Sequence, residues 1–261
     1  MFYFDHEPTF AELWEMCVYK LLYSEKGYCD DIENLFVSHG ISKQSRILDV
    51  SAGSGFPALG LIEKGYSIDC ADGFRDEVEL FNKRAAKRGL PVSCKEVLWA
   101  GMQKEYAPAS YDFLFCRGNS FIYALGGWNT EVAIDPHTAL AEYSATAKIF
   151  FDLLKPGGYL FIDKFKDSET THKATVAQIS VNGSEEDLIF WTERFPEQKL
   201  RRASMLRRKA DGTETGIPNV SYDLTVPDLA EALSSAGFKN LKRHLMPSEK
   251  EFDVFMVQKP D

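Results

Sequence analysis

Arg46-Ile47-Leu48-Asp49-Val50-Ser51-Ala52-Gly53-Ser54-Gly55-Phe56 is the stretch whose reading decides the fold. Ile47, Leu48 and Val50 form the short apolar run of a buried strand. Gly53 and Gly55 follow at once, and Ala58, Leu59 and Ile62 then recur at helical spacing. Strand, glycine turn and helix make the first half of a βαβ unit. Glycines in such a turn let backbone approach a ligand that a Cβ would exclude, and the helix start offers unpaired N–H groups. The next strand, Gly65 to Asp72, ends in a carboxylate 19 residues beyond Gly53. That spacing brings an acid to ribose hydroxyls in dinucleotide folds. Two features depart from the dinucleotide pattern. The third glycine of G-x-G-x-x-G falls at Ala58, and Asp49 sits inside the strand that precedes the loop. A carboxylate there suits a cationic cofactor and would repel a pyrophosphate, which argues against a nicotinamide-linked oxidoreductase.

Asp49, Gly53, Gly55 and Asp72, in this order, resemble the first motifs of the class I S-adenosylmethionine-dependent methyltransferases. The resemblance covers about residues 30 to 165. It implies a doubly wound α/β fold, a mostly parallel seven-stranded sheet, with S-adenosylmethionine as cofactor. The cofactor-binding set it implies is Asp49, Ser51, Gly53, Gly55, Asp72, Gly73, Leu98, Trp99 and Arg117. Leu98 and Trp99 follow the third strand, Pro91 to Val97, where this class often places an apolar or amide side chain near the adenine. Trp99 either stacks on the base or fills the gap between helix and sheet.

The fourth strand, Tyr111 to Cys116, runs into Arg117-Gly118-Asn119-Ser120-Phe121. Ligands of doubly wound sheets sit outside the carboxyl ends of the strands. Gly118 to Phe121 is similar to the corresponding turn of the glycine and sarcosine N-methyltransferases, which makes Asn119 the candidate acceptor-orienting residue. Its amide both donates and accepts, although asparagine beside glycine is also common in plain turns. Lys155-Pro156-Gly157-Gly158 before an apolar strand, Tyr159 to Phe165, recurs in the same class. After that strand the glycine and sarcosine enzymes carry an arginine for the substrate carboxylate. Here Ile162-Asp163-Lys164-Phe165-Lys166-Asp167 stands in its place. Lysine supplies a point charge, not a bidentate fork, so amino-acid specificity stays open.

The expected organisation is one domain over residues 1–261. It consists of an N-terminal helical lid (1–40), a cofactor-binding core (41–174), a small antiparallel insertion (175–225), and a helix and hairpin that return to the core (226–261). Phe10, Leu13, Trp14, Cys17, Val18 and Leu21 give the first helix after Pro8-Thr9. Tyr3, Tyr19, Tyr23 and Tyr28 either line the lid or pack its helices, and Gly126-Gly127-Trp128-Asn129 marks a turn beside the site. Asn182-Gly183 and Asp211-Gly212 are turn signals between the alternating strands of the insertion. Its Lys199, Arg201, Arg202, Arg207, Arg208 and Lys209 present either a carboxylate clamp or a solvated face opposite Glu185, Glu186 and Asp187.

The 261 residues are 44% hydrophobic, enough for one sizeable core, and carry net charge −9. An acidic balance disfavours nucleic acid or an anionic membrane as partner. Cys17, Cys29, Cys70, Cys94 and Cys116 show no C-x-x-C spacing, and the five histidines form no metal-spacing pair, so no metal is expected. The N-terminus lacks a signal-peptide pattern and no apolar run reaches membrane-spanning length, which points to a cytoplasmic protein. The reading is a methyltransferase acting on a small-molecule acceptor, at an amine or amino-acid nitrogen. A small-molecule O-methyltransferase and a catalytically silent cofactor-binding partner protein remain as alternatives.

Overall fold

The computed structural model describes residues 1–125, 135–166, 171–216 and 219–261. The Gly126-Gly127-Trp128-Asn129 stretch and the side chain of Tyr19 lie outside the described residues. In chain order the elements are β1 (Phe2–Phe4), α1 (Phe10–Met16), α2 (Glu25–Ser38), β2 (Ile47–Asp49), α3 (Ala58–Glu63), β3 (Ile68–Asp72) and α4 (Arg75–Lys87). There follow β4 (Cys94–Glu96), α5 (Met102–Glu105), β5 (Tyr111–Cys116), α6 (Pro136–Leu153) and β6 (Leu154–Phe165). The chain closes with β7 (Thr171–Val181), β8 (Ser184–Phe195), β9 (Leu200–Lys209), β10 (Glu214–Thr215), β11 (Asn219–Tyr222), α7 (Val226–Ser235), β12 (Lys239–His244) and β13 (Phe252–Gln258).

Seven strands make the central sheet in the order β12-β13-β6-β5-β2-β3-β4. The pairings from β4 through to β6 are parallel, and β13 runs antiparallel to both β6 and β12, so the sheet is mixed. Phe113 to Cys116 of β5 read as an unbroken apolar run because helices cover both faces of the sheet. Phe113 and Phe115 pack into the cluster of α2, α3 and α4, and Leu114 and Cys116 into that of α6 and α7. On α2, Tyr28, Cys29, Ile32, Leu35 and Phe36 are buried at helical spacing, and on α4 Val78, Phe81 and Ala85. Capping boxes begin α1 (Thr9 with Glu12) and α7 (Thr225 with Asp228). Lys155-Pro156-Gly157-Gly158 falls within β6, where the pairing with β5 shifts register between Tyr111 and Phe113.

A second sheet has the order β1-β7-β8-β9-β10, with β11 also on β9. It begins at Thr171, and it takes in the N-terminal strand: Phe2, Tyr3 and Phe4 pair parallel with Ile179, Ser180 and Val181. Asn182 and Gly183 both adopt positive φ, 49° and 81°, the two-residue hairpin turn that matches strand twist. Ile179, Val181, Leu188 and Met205 bury against Leu13, Met16 and Cys17. This contact seats α1 between the second sheet and the carboxyl edge of the first. All five cysteines are buried free thiols. Among the described residues no helix is long and apolar enough to cross a membrane.

Candidate active site

At the carboxyl edge of the central sheet four acidic side chains, Asp49, Asp72, Glu77 and Asp163, are buried together. Asp49 ends β2 and its Oδ1 accepts the Ser51 N–H at 3.1 Å. Burial pushes its carboxyl up to about 7, with Asp72 and Asp163 adding to the rise, while the Ser51 N–H and Arg117 pull it down. Asp72 ends β3 and accepts the N–H of Gly53 (2.9 Å) and of Phe74 (2.9 Å). Its carboxyl is raised to about 6 by burial, held back by those backbone donors. The glycine turn is therefore tied to the second strand through Asp72. Gly53 (φ 50°) and Gly55 (φ 104°) hold left-handed backbone that a side chain disfavours. A Cβ on Gly55 would stand 2.5 Å from Leu59 Cδ1, so that glycine also permits α3 to pack.

Ser51, Asp72, Gly73, Leu98 and Trp99 line one cleft of 290 Å³ together with Val50, Phe74 and Thr146. Leu98 is 66% exposed on its rim. It approaches so closely that a Cβ on Gly73 would lie 2.9 Å from its Cδ2. Trp99 donates its indole N–H to the Val50 carbonyl at 2.7 Å and meets Phe150 edge-on at 5.4 Å. It thus fills the space between helix and sheet and lines the cleft as well.

Asp49, Gly53, Gly55, Arg117 and Asn119 are not on that wall; they form the layer beneath and beside it. Ser51 Oγ accepts the Arg117 N–H at 2.9 Å, clipping the end of β2 to the end of β5. Arg117 lies among the rings of Tyr28 (4.5 Å), Phe56 (4.6 Å) and Tyr23 (5.1 Å), and its Nε donates to the Tyr28 hydroxyl at 2.8 Å. Glu249 stands 3.7 Å from its Nη2 and accepts both tyrosine hydroxyls, at 2.7 Å from Tyr23 and 3.1 Å from Tyr28. Asn119 is buried with φ 58°; its N–H donates to Asp163 at 2.7 Å, and its side-chain oxygen accepts the Phe165 N–H at 3.2 Å. That oxygen holds the β5 turn onto β6.

Asp163, Glu77 and Glu249 carry much of this arrangement, and the sequence motifs do not single them out as site residues. Asp163 accepts Gly118 N–H (3.0 Å) as well as Asn119 N–H, and burial raises it to about 7 despite the pull of Arg117. An aspartate inside the apolar run of β6 is the signal that would have found it. Glu249 has no such local signal.

Four arginines of the second sheet are engaged in ion pairs. Arg194 and Arg201 converge on Asp223, Arg207 on Glu186 (2.6 Å) and Glu7, and Arg208 on Asp187 (2.7 Å). Lys164 is buried and donates to the Phe165 carbonyl at 2.8 Å, and Lys166 to that of Lys250.

The cleft suits S-adenosylmethionine on its own chemistry. A carboxylate has about four lone-pair sites, so Asp72 retains acceptors for hydroxyl donors beyond its two backbone bonds. Leu98, Gly73 and Trp99 offer an apolar wall for a flat base, and the buried acids favour a cationic ligand.

No family model matches the chain. It is similar to the glycine/sarcosine N-methyltransferase of Halorhodospira halochloris, 30% identical over 46% of this chain and 40% of that protein. Rat glycine N-methyltransferase is 25% identical over 59% of this chain and 50% of its own. The matches thus span half or less of these curated relatives. Among solved structures, an S-adenosylmethionine-dependent methyltransferase from Clostridium acetobutylicum superposes with TM-score 0.68 at 13% identity, covering 91% of this chain and 93% of its own. An amino pentose methyltransferase from Micromonospora echinaspora, with S-adenosylmethionine bound, gives 0.66 at 15% identity, covering 97% and 99%. The fold is that of the S-adenosylmethionine-dependent methyltransferases.

Proposed function

We propose that this chain is an S-adenosylmethionine-dependent methyltransferase that methylates an amine nitrogen of a small molecule. The observation that carries the reading is the cleft at the end of β3, where Asp72, Gly73, Leu98 and Trp99 meet beside the glycine turn. The similarity to glycine and glycine/sarcosine N-methyltransferases supports nitrogen as the acceptor atom.

S-adenosylmethionine supplies a methyl group activated on a sulfonium. Asp72 would take ribose hydroxyls on its remaining lone pairs, and Leu98 and Trp99 would wall the adenine. Gly53 lets backbone approach the ligand, and Asp49 sets negative charge under the glycine turn. α1 and the second sheet lie over the carboxyl edge, where they would keep water from the acceptor and limit its approach to the methyl group. An amine needs only to be aligned and unprotonated. The described residues accordingly need no nucleophile–base pair of the hydrolase kind.

The test is transfer of label from methyl-labelled cofactor to a panel of small amines, carboxylates and phenols. Label on nitrogen is the expected result. Label on phenols or carboxylates alone would make the chain an O-methyltransferase, and cofactor binding without turnover on any acceptor would make it a silent binding protein.

A further inference from the structure

A second cavity, of 440 Å³, lies between α1, the first turn of α4 and strands β9 to β11. Its volume is within the usual range of about 300–1,000 Å³ for small-molecule sites. Phe74 lines both this cavity and the cofactor cleft, and the Phe74 and Tyr123 rings meet edge-on at 6.4 Å between them. Glu77 brings the cavity to the glycine turn. Its Oε2 stands 3.6 Å from where a Cβ on Gly53 would be.

Two buried polar atoms of this wall have no hydrogen-bond partner, Glu77 Oε2 and Asn219 Oδ1. Both residues are only 7% exposed. An unpaired buried polar atom is costly, and both of these are oxygens that ask for a donor. A glutamate at the third position of a helix often closes a capping box, but here the preceding Phe74 has no side-chain oxygen to share. The cations on the wall are already neutralised: Arg207 is held by Glu186 and Glu7, and Arg75 by Glu96 at 3.1 Å. What the cavity leaves open is acceptor oxygen.

We propose that this cavity is the methyl-acceptor site, and that it takes a small amine bearing hydroxyl or further N–H donors and no free carboxylate, bound through Glu77 and Asn219. The proposal rests on the methyltransferase reading and narrows its substrate class. A carboxylate placed here would face two acceptor oxygens and find Arg207 engaged. An amine would instead donate N–H groups to both. Burial, with Asp72, Glu15 and Asp76 nearby, pushes the Glu77 carboxyl up to about 8. The acceptors named for the curated relatives, glycine and sarcosine, carry a carboxylate and belong to the other class.

The test is calorimetric binding of ethanolamine and glucosamine against glycine and sarcosine, with and without S-adenosylhomocysteine, so that no turnover is required. At least one of the two amines is expected to bind tenfold or more tightly than either amino acid. Asn219→Ala should weaken that amine tenfold or more while leaving S-adenosylhomocysteine affinity within threefold, and Glu77→Gln should weaken the amine independently. Far-UV circular dichroism checks the fold of each variant, and Asn219→Ala carries the test should Glu77→Gln not fold. Glycine or sarcosine binding as tightly as the amines would overturn the proposal. So would amine affinity unchanged in both variants, or a loss confined to S-adenosylhomocysteine, which would assign Glu77 to the cofactor. Failure of the wild-type chain to bind S-adenosylhomocysteine is a separate result, against the methyltransferase reading itself.

Discussion

Asp72 serves two ends at once, bracing the glycine turn through Gly53 N–H and presenting the cleft with its remaining lone pairs. Charge-assisted hydrogen bonds are worth about 1.5–3 kcal/mol each before water compensates. Asp72→Ala is therefore expected to weaken S-adenosylmethionine binding by tenfold or more in calorimetry. An unchanged dissociation constant would remove Asp72 from the cofactor site. Asn119 poses a different question, because its left-handed backbone costs an ordinary L-residue about 1–2 kcal/mol. Asn119→Ala loses both the favourable conformation and the bond to Phe165 N–H, whereas Asn119→Gly loses only the bond. Chemical denaturation should rank wild type above Asn119→Gly and Asn119→Gly above Asn119→Ala. We expect kcat/KM for methyl transfer to fall in the same order, with cofactor affinity close to wild type. Equal stability of the two variants would mean that the left-handed backbone at residue 119 costs alanine nothing there.

Between elements, one buried electrostatic tie is made by α2, the end of β5 and the loop before β13. Tyr28, Arg117 and Glu249 come from these three places and are nearly inaccessible to solvent. Breaking a buried pair leaves an uncompensated charge and costs about 3–5 kcal/mol. Glu249→Leu removes the acceptor of two tyrosine hydroxyls and the counter-charge of Arg117, so a large drop in melting temperature is expected. Arg117→Met with Glu249→Leu should recover part of it, because the double variant buries no lone charge. If the single and double variants melt together, the pair is not coupled. The parallel pairing of β1 with β7 is a second tie, since it fastens the N-terminus to a sheet built from residues 171 onward.

On the scale of the whole molecule, the buried carboxyls set a pH dependence. Asp72 at about 6, Asp49 and Asp163 at about 7, and Glu77 at about 8 all lie above their unfolded values. Burial is the first cause in each case. Between pH 4 and 8 the native chain holds protons that the unfolded chain has released, so stability falls as pH rises. It is fully present below the unfolded values and lost as pH passes through about 6 to 8. The ligand-free protein should melt several degrees higher at pH 5 than at pH 8. S-adenosylmethionine, a cation bound beside these acids, should narrow the gap. A melting temperature that rises steadily with pH over this range would contradict the burial of the four acids.

Local pattern alone determined much of this protein. The apolar runs of β2 and β5, the glycines after Asp49 and the carboxylate at Asp72 are decided by short-range chemistry: a buried strand must be apolar, and a tight turn must tolerate positive φ. From these follow the βαβ start, the layer order around it and the grouping of Ser51, Asp72, Gly73, Leu98 and Trp99 in one cleft. Tertiary structure decided what depends on partners remote in sequence. Arg117 is paired with Glu249 and Arg207 with Glu7 across intervals that no periodicity encodes, and the second pairing makes an insertion arginine part of a neutralised wall. The engagement of Asn119 with Phe165, the parallel docking of Phe2–Phe4 on β7 and the unpaired oxygens of Glu77 and Asn219 have the same origin. Whether a polar atom is satisfied depends on every neighbour that folding brings to it, and a residue's own chemistry states only what it wants.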